Sequence, residues 1–473
     1  MNKKFYITTA IPYVNAAPHV GFALEIVQAD VIARYHRLLG EDVYLLTGTD
    51  ENALKNIQAA EEEEIPIKKL VDQNSDKFYQ LKNALNLSFD DFIRTTEKRH
   101  IEGAQALWKA CKKEDIYKKK YRGFYCVGCE IFLTEKDLVN GKCPEHNKEP
   151  EIVEEENYFF RLSKYQDWLK DLIASDKLKI VPETRKNEVL AFIHRGLEDF
   201  SISRSVARAH GWGIPVPGDP SQIIYVWFDA LANYITALDW QHNGKLYQKY
   251  WPADLHVIGK GISRFHAIYW PAMLKSAGIP LPKQEFVHGY VTVNGQKISK
   301  SLGNVIDPFE LVKKYGVDPV RYYFLREIPA YGDGDFSEKR FKELYNADLA
   351  NGLGNLVARV AKLCEKSSHN FETPELAPYK RVEDSLGKFR FDLALLHIFN
   401  VIAQLDYEIN IKQPWVKTND ELDKILRPIV SEIQKIAFNL QPFLPETAEK
   451  ILKQFAGPKI KSEKPLFPRI KIK

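Results

Sequence analysis

Four residues in the sequence have the identities and the spacing of metal ligands. Cys126 and Cys129 form a C-x2-C pair, and Cys143 and His146 form a C-x2-H pair shortly after it. Two closely spaced pairs of this kind can close a tetrahedral site, and thiolates suit zinc. Because protein ligands would fill all four positions, no place is left for water or substrate. We therefore expect a structural zinc ion that stabilises a small segment of chain.

Two short segments far apart in the sequence could together bind phosphate groups. In residues 18–21 (PHVG), His19 precedes an expected helix, and Gly21 would let the backbone approach a ligand closely. Residues 297–301 (KISKS) carry two lysines, whose mobile ammonium groups can stabilise the charge that develops during adenylyl transfer. Taken alone, a histidine at a helix start or a solvated lysine-serine loop is usually without function. The sequence contains neither a Walker-type loop nor a G-x-G-x-x-G motif, so a nucleotide would have to be bound in this other way.

The elements around these segments indicate an α/β protein with a helical tail. The residue pattern predicts a strand over residues 5–10, a helix from Val20 to near Gly40, and a second strand over residues 42–47. Strand, helix and strand in this order suggest a parallel unit whose ligand site lies beyond the carboxyl ends of the strands. We further expect strands over residues 223–228, 255–259 and 286–293, a helix over residues 265–274, and a helical bundle after about Phe341.

The composition is that of a multidomain protein without membrane segments. The chain has 473 residues, of which 45% are hydrophobic, and a formal net charge of +4. This length accommodates several domains, and the mildly basic balance permits a polyanionic partner without requiring one. The five cysteines are an odd number, which argues against a secreted disulfide framework. The N-terminal residues show neither a signal peptide nor a transmembrane stretch, so we expect a cytoplasmic protein that does not bind membranes.

The two phosphate-binding segments resemble the HIGH and KMSKS signatures of class I aminoacyl-tRNA synthetases, in the same order and with an insertion between them. Longer strings are similar to blocks of one family in this class, the methionyl-tRNA synthetases, and the similarity covers nearly the whole chain. These strings are residues 10–15 (AIPYVN), 225–230 (YVWFDA), 264–274 (RFHAIYWPAML) and 286–291 (FVHGYV). The resemblance implies a Rossmann-like α/β catalytic domain with a zinc-containing connective insertion, followed by an all-α anticodon-binding bundle.

The resemblance also implies where these parts begin and end. The expected segments are the first half of the Rossmann-fold catalytic domain (1–116), the connective insertion with its zinc knuckle (117–212), the second half of the catalytic domain (213–292), the KMSKS loop with the stem-contact region (293–340), and the helical anticodon-binding domain (341–473).

By resemblance, the protein activates L-methionine with ATP to methionyl-adenylate and transfers it to the 3′ end of tRNA(Met). A thioether with a zwitterionic head needs aromatic and aliphatic walls and a carboxylate for its ammonium group. The resemblance implies that Asp50 is this carboxylate and that His266 lies near the thioether. The implied methionine-binding residues are Ile11, Tyr13, Asp50, Trp227, Leu231, Tyr234, Phe265, His266 and Trp270.

The family match also implies a site for ATP accompanied by Mg²⁺. The implied ATP-binding residues are His19, Gly21, Phe22, His288, Lys297, Ser299 and Lys300. Among them, the residues expected to be catalytic are His19, Gly21, Lys297 and Lys300.

The helical tail carries the residues expected to read tRNA. Asn355 and Arg359 are four positions apart, which places them on one helical face, and Trp415 follows a proline. Single-stranded bases are read by stacking on aromatic rings and by hydrogen bonds to their edges. In the family, these positions recognise the CAU anticodon of tRNA(Met). We expect a monomer, since no appended dimerisation domain is visible.

The sequence departs from the family pattern at three places. Phe22 stands where a second histidine is usual, Asn52 and Ala53 replace a His-Gly pair, and Gly261 replaces an aspartate. We expect an active enzyme with a rearranged ATP and methionine site. One alternative is another class I synthetase, for valine, isoleucine, leucine or cysteine, although residues 117–212 are too few for the editing insertion of the first three. The other alternative is a catalytically impaired relative that binds tRNA.

Overall fold

A computed structural model describes residues 3–133, 135–144, 147–298 and 303–471, with the side chains of all of these except Lys136, Lys297 and Asn419. The strands in these ranges are β1 (Lys4–Thr9), β2 (Asp42–Thr49), β3 (Asp91–Arg94), β4 (Ile116–Cys126), β5 (Ile131–Leu133), β6 (Glu151–Phe160), β7 (Lys179–Val181), β8 (Phe200–Ser201), β9 (Ser203–Ser205), β10 (Pro215–Val216), β11 (Asp219–Ile224), β12 (Leu255–Gly259), β13 (Gln284–His288), β14 (Val291–Val293), β15 (Gln296–Lys297) and β16 (Gly334–Phe336).

The helices in the same ranges are α1 (Val20–Leu38), α2 (Leu54–Glu62), α3 (Ile67–Ala84), α4 (Lys98–Ala110), α5 (Gln166–Ala174), α6 (Glu183–His194), α7 (Val226–Leu231), α8 (Asn233–Thr236), α9 (Lys245–Tyr250), α10 (Trp270–Ala277), α11 (Pro308–Tyr315), α12 (Val317–Arg326), α13 (Glu338–Leu344), α14 (Asn355–Cys364), α15 (Lys380–Leu386), α16 (Phe391–Lys412), α17 (Asn419–Leu440) and α18 (Pro445–Gln454). Two π-helical stretches, Phe265–Tyr269 and Tyr345–Gly354, precede α10 and α14. The expected α/β fold with a helical tail is confirmed. Within the described ranges, no helix combines the length and the apolar character needed to cross a membrane.

The chain divides into two compact units that alternate along the sequence. The first contains the described residues of 1–18, 40–82 and 88–287, and the second contains those of 19–39, 83–87 and 288–473. Helix α1 therefore belongs to the second unit, although it connects β1 to β2 in sequence.

A six-stranded sheet with the order β3–β2–β1–β12–β13–β7 lies in the first unit. β1 pairs in parallel with β2 and β12, so that Ile7 lies opposite both Leu45 and Leu255. These three strands are largely buried, as parallel strands covered on both faces are. The strand order reverses between β1 and β12, and in open α/β sheets ligands bind at such a point, beyond the carboxyl ends of the strands. The strands expected over residues 5–10, 42–47 and 255–259 are confirmed.

Two antiparallel sheets, β5–β4–β6–β8 and β10–β11–β9, also lie in the first unit. β4 and β6 form a long ladder in which the pairs run from Ile116 opposite Phe160 to Tyr125 opposite Glu151. β4 ends at Cys126 and continues through a tight turn into β5. This hairpin therefore presents the first cysteine pair at its turn.

The strand expected over residues 223–228 was wrong from Tyr225 onward. β11 ends at Ile224, and α7 begins at Val226. The Tyr225 carbonyl accepts from the N–H groups of Phe228 and Asp229, at 2.9 and 3.2 Å. The error arises because a short apolar run fits a buried strand and a buried helix equally well.

The second unit joins α1 to the helices from α11 to α18 and to the sheet β15–β14–β16. The single strand expected over residues 286–293 was also wrong, because β13 ends at His288 and β14 begins at Val291 in a different sheet. Gly289 lies at the break, where an added Cβ would be only 2.1 Å from the Gly332 carbonyl oxygen. Only glycine permits this close backbone approach. The tail after Phe341 is helical as expected, with a non-helical connection between α14 and α15.

A fully buried ion pair anchors α1 within the second unit. Nη1 of Arg321 on α12 lies 2.8 Å from Oδ2 of Asp30 on α1, and both side chains are fully buried. The same guanidinium donates to the carbonyls of Leu85, Pro442 and Phe443 at 2.9–3.1 Å. Burying a charge is costly unless it is paired and hydrogen-bonded. This arginine meets both conditions and ties together segments that are distant in sequence.

Candidate functional site

Residues expected to bind methionine lie at the carboxyl ends of the central strands. Ile11 and Tyr13 follow β1, and Asp50 follows β2. A backbone bridge joins Tyr13 to Asp50, whose N–H donates to the Pro12 carbonyl at 2.9 Å. The two loops are therefore held side by side at the point where the strand order reverses.

The Asp50 carboxylate lies in a buried, acidic environment. Asp50 is 2% exposed, and its side chain accepts from the Asn52 backbone N–H at 3.2 Å. Burial and the charge of Asp229 raise the pKa of Asp50 well above its usual value, and burial likewise raises the pKa of Asp229. A cationic ligand would offset both the repulsion and the lost hydration. The arrangement thus favours a ligand ammonium group.

Aromatic rings form a wall in the same unit. Trp227 on α7 stacks on Phe265 with ring centroids 3.6 Å apart and planes 3° apart, and Tyr13 meets Trp227 edge-on at 6.3 Å. Leu231, at the end of α7, is 2% exposed. The buried hydroxyl of Tyr13 has no hydrogen-bond partner in the described part of the chain. Such a surface can hold an apolar side chain of a ligand and offers it one hydroxyl.

His266 is a buried and neutral imidazole. Its Nδ1 donates to the Ile262 carbonyl at 3.0 Å, and its Nε2 therefore accepts from the Tyr234 hydroxyl at 2.7 Å. Burial lowers the pKa of His266 to about 4. The ring of Trp270 lies 6.1 Å from that of Tyr234, and Trp270 is fully buried. These three residues form a second aromatic group, in which both nitrogens of His266 are already hydrogen-bonded.

The start of α1, in the second unit, carries the first of the two segments expected to bind phosphate. His19 caps the helix, because its Nδ1 accepts from the Gly21 N–H at 3.0 Å. A Cβ at Gly21 would lie 2.7 Å from Cε1 of the His19 ring, so a larger residue would displace the cap. Burial lowers the pKa of His19, which leaves a neutral imidazole at a helix N-terminus, where anions bind. Phe22 follows in the first turn and is half-buried.

His288 lies in the same unit and is paired with α1. Its Nε2 is 2.8 Å from Oε2 of Glu25, and its Nδ1 is 2.7 Å from the Gly289 carbonyl oxygen. Glu25 is one helical turn after Gly21. The structure thus brings His288 to the helix that begins at His19.

Most of the second segment expected to bind phosphate lies outside the described residues. The backbone of Lys297 belongs to β15, which pairs with β14. The Lys297 side chain, Ser299 and Lys300 are outside the described part of the chain. The geometry of these groups is therefore not part of the observed site.

The three cysteines of the expected metal site lie together. The sulfur atoms of Cys126, Cys129 and Cys143 lie within 4.8 Å of one another, with Cys129 and Cys143 3.5 Å apart. A tetrahedral zinc with Zn–S bonds of 2.3 Å places sulfurs about 3.8 Å apart, so the cluster fits a metal such as zinc. The neighbouring Cys126 thiol and burial raise the pKa of Cys129, and a bound cation would reverse this effect. His146, the fourth expected ligand, lies outside the described residues.

The residues expected to read the anticodon lie at one place on the helical tail. Asn355 begins α14 and is exposed, and Arg359 follows one turn later. The Arg359 guanidinium contacts Asp406 at 2.5 Å and Asn410 at 2.9 Å, and it lies 5.9 Å from the Trp415 ring centroid. Trp415 is 44% exposed. The arrangement offers an accessible aromatic face beside hydrogen-bonding groups.

Sequence reasoning missed three buried acidic residues around these sites. Asp229 accepts from the Asn52 amide at 3.1 Å, Glu25 pairs with His288, and Glu130 directly follows Cys129 of the cysteine cluster. Helical spacing from Gly21 could have suggested Glu25. Asp229 and Glu130 have no comparable signal, because their partners come from distant parts of the chain.

Comparison with known proteins assigns the chain to a family. The family model described as tRNA synthetases class I (M) matches residues 5–149 and 136–361. Methionine–tRNA ligase of Brucella suis biovar 1 is 42% identical over 99% of this chain and 98% of its own length. That of Thermotoga maritima is 42% identical over 95% of this chain and 75% of its own length.

Solved structures agree with this assignment over nearly the whole chain. Mycobacterium tuberculosis methionyl-tRNA synthetase bound by methionyl-adenylate superposes with a TM-score of 0.92 at 39% identity, covering 98% of this chain and 100% of that one. Its apo form superposes with a TM-score of 0.84 at 37% identity, covering 100% of this chain and 99% of that one. The chain belongs to the methionyl-tRNA synthetase family of class I aminoacyl-tRNA synthetases.

Proposed function

We propose that the protein is a methionine–tRNA ligase that activates L-methionine with ATP and transfers it to the 3′ end of tRNA(Met). The observation that carries this proposal is the match, over nearly the full length of both chains, to an enzyme solved with methionyl-adenylate. A buried carboxylate beside an aromatic wall, at the reversal point of the sheet, supports the same conclusion. The two alternatives, another class I synthetase and an impaired relative, have no comparable support.

Asp50 binds the ammonium group of methionine in this proposal. Ligand binding converts the Asp50 carboxyl to its ionised form, because a positive charge replaces the hydration lost on burial. The methionine side chain lies against Tyr13, Trp227, Phe265 and Leu231, with Ile11, Tyr234, His266 and Trp270 completing the pocket. The neutral state of His266 suits an uncharged thioether.

The adenylation step forms a bond between a methionine carboxylate oxygen and the α-phosphorus of ATP, and the bond to pyrophosphate breaks. His19 and the N–H groups at the start of α1 hold phosphate oxygens. Lys297 and Lys300 stabilise the charge that develops on the leaving pyrophosphate, while Ser299, His288 and Phe22 complete the ATP site. Magnesium accompanies ATP and neutralises part of the phosphate charge.

The departures from the family pattern are consistent with a rearranged, active site. The Asn52 amide donates to Oδ2 of Asp229 at 3.1 Å, so this side chain provides a partner for one oxygen of a buried carboxylate. Phe22 packs against the adenine or the ribose, since it cannot donate to phosphate. Gly261 leaves no carboxylate after β12, and the charges nearest to methionine come from Asp50 and Asp229.

Further proposals follow from the same assignment. We propose that Cys126, Cys129, Cys143 and His146 hold a structural zinc ion, and that Asn355, Arg359 and Trp415 read the anticodon. Residues 117–212 form the connective insertion between the catalytic segments 1–116 and 213–292, residues 293–340 the KMSKS and stem-contact region, and residues 341–473 the anticodon-binding domain. The protein acts as a cytoplasmic monomer.

Amino-acid-dependent exchange between ATP and pyrophosphate tests the activity. We expect exchange with methionine and far less with valine, isoleucine, leucine or cysteine. Exchange with none of them, combined with retained tRNA binding, would identify an impaired relative instead. Lys300→Ala should lower the adenylation rate far more than the affinity for methionine, and equal losses in both would contradict its transition-state role.

A further inference from the structure

The cluster of Cys126, Cys129 and Cys143 is hydrogen-bonded to the aromatic wall of the proposed methionine pocket. The indole Nε1–H of Trp227 donates to the backbone carbonyl of Cys129 at 3.3 Å. Trp227 is the ring that stacks on Phe265 and meets the edge of Tyr13. A residue whose sulfur would hold the metal thus also orients, through its carbonyl, a ring of the pocket.

Glu130, the next residue, extends this link. It is fully buried and has a left-handed backbone with φ of 55°. Its carbonyl accepts from the Tyr225 hydroxyl, and its side chain accepts from the Tyr125 hydroxyl. A residue other than glycine adopts this conformation only when its surroundings hold it there.

The carboxylate of Glu130 also contacts two segments near the pocket. Oε1 accepts from the Lys55 N–H in α2 at 3.2 Å, and Oε2 lies 3.3 Å from Nη2 of Arg204. α2 begins four residues after Asp50. The Glu130 side chain therefore joins the turn between β4 and β5 to α2, which follows the proposed ammonium-binding residue Asp50.

We propose that Glu130 is a positioning residue through which metal binding at the cysteine cluster and methionine binding favour each other. When the cysteines are bound to the metal, the backbone at Cys129 and Glu130 is fixed. The carbonyls of these two residues then hold Trp227 and Tyr225, and the Glu130 carboxylate holds the start of α2, in the geometry that accepts methionine. This inference rests on the proposed function. Linkage then requires that methionine stabilise the metal-bound cluster by the same factor.

Release of zinc from the full-length, zinc-loaded protein tests this coupling. The rate of release to a chromogenic chelator is measured with and without saturating L-methionine, in the absence of ATP. We expect methionine to slow the release by about fivefold or more. Tryptophan fluorescence should show that the zinc-loaded protein binds methionine more tightly than the stripped protein. Methionine should raise the equilibrium affinity for zinc, measured by chelator competition, by the same factor.

Variants separate this link from a general effect on stability. Glu130→Gln should reduce the effect of methionine on zinc release to less than about twofold, with one zinc still bound per chain. Trp227→Phe tests the hydrogen bond to the Cys129 carbonyl, because phenylalanine keeps an aromatic ring but lacks the indole N–H donor. Glu135→Gln, an exposed change in the same insertion, should leave the coupling intact.

The outcomes distinguish this inference from the proposed function. Methionine binding without any change in zinc release would overturn the coupling alone. Full coupling in both Glu130→Gln and Trp227→Phe would overturn the route through these residues. Failure of the zinc-loaded protein to bind methionine would overturn the coupling and the proposed function together.

Discussion

His288 and Glu25 form a buried pair in which Nε2 and Oε2 are 2.8 Å apart, with exposures of only 5% and 6%. The Gly289 carbonyl can only accept, so Nδ1 of His288 carries a hydrogen. A hydrogen bond between Nε2 and the carboxylate joins the two side chains. Because Glu25 is one turn from Gly21, this pair lies close to the helix start that is proposed to bind ATP.

Replacing Glu25 tests whether this pair serves ATP. Glu25→Gln keeps the size of the side chain but replaces the carboxyl group with a neutral amide, so the hydrogen bond that orients His288 is weakened. We expect the KM for ATP in pyrophosphate exchange to rise about tenfold, with the Kd for methionine within about twofold of the original. A rise in the methionine Kd with an unchanged KM for ATP would contradict this role.

Methionine binding should depend on pH through Asp50. The raised pKa of this carboxyl keeps part of the protein protonated, and only the ionised form attracts an ammonium group. The Kd for methionine should therefore fall as pH rises from about 4, the usual pKa of an aspartate, through the raised pKa of Asp50, and calorimetry in two buffers below that pKa should detect a released proton.

Asp50→Asn should remove this dependence and weaken binding by about 100-fold at pH 7.5, which corresponds to the loss of a charged hydrogen bond. The exposed Asp76 on α3 offers a matched control, and Asp76→Asn should behave like the original protein. A pH profile that persists in Asp50→Asn would assign the titration to another group.

Trp415 should contribute to tRNA recognition and not to the adenylation step. Trp415→Ala removes a stacking face worth about 1–3 kcal/mol, so kcat/KM for tRNA should fall by about 10- to 100-fold while pyrophosphate exchange is unchanged. Tyr407, on α16 and 69% exposed, provides a comparison, and Tyr407→Ala should affect charging much less. Equal losses of kcat/KM for tRNA in the two variants would argue against a specific role of Trp415 in reading the anticodon.

His100 should make the protein less stable in acid. Burial lowers the pKa of His100 to about 3, and its Nδ1 is 2.9 Å from the Thr236 hydroxyl. Since the unfolded chain binds a proton at a pKa of about 6.5, stability is lost as pH falls below that value, by about 2 kcal/mol at pH 5. Between pH 7.5 and 5, the free energy of unfolding in urea should fall less in His100→Gln than in the original protein. In the control His242→Gln, at an exposed position, it should fall as much as in the original protein.

The sequence predicted the elements whose periodicity is unambiguous. β1, β2, β12 and α1 were expected close to their observed bounds. The errors fell on residues 223–228 and 286–293, where apolar runs do not reveal a change of element or sheet. Gly289 marks the second break, but its close contact with Gly332 comes from a distant loop.

The candidate site was predictable where side-chain identity carries the chemistry. The cysteine spacing indicated a metal cluster, and three sulfurs do lie together. The contact of Trp227 with the Cys129 carbonyl was not predictable, because a backbone oxygen has no signature in sequence. Asp229 and Glu130 were missed for a related reason, since only folding brings their partners to them.

The pairing of Asp30 with Arg321 has a consequence for how the chain emerges from the ribosome. Asp30 is synthesised long before Arg321 and the carbonyls of Pro442 and Phe443 that share the same guanidinium. At usual rates of translation, the interval between the synthesis of α1 and that of these later residues is therefore on the order of tens of seconds. During that interval the helix lacks the contacts that residues 288–473 of the second unit later provide. A truncation before residue 321 would leave the helix that begins at His19 permanently without its anchor.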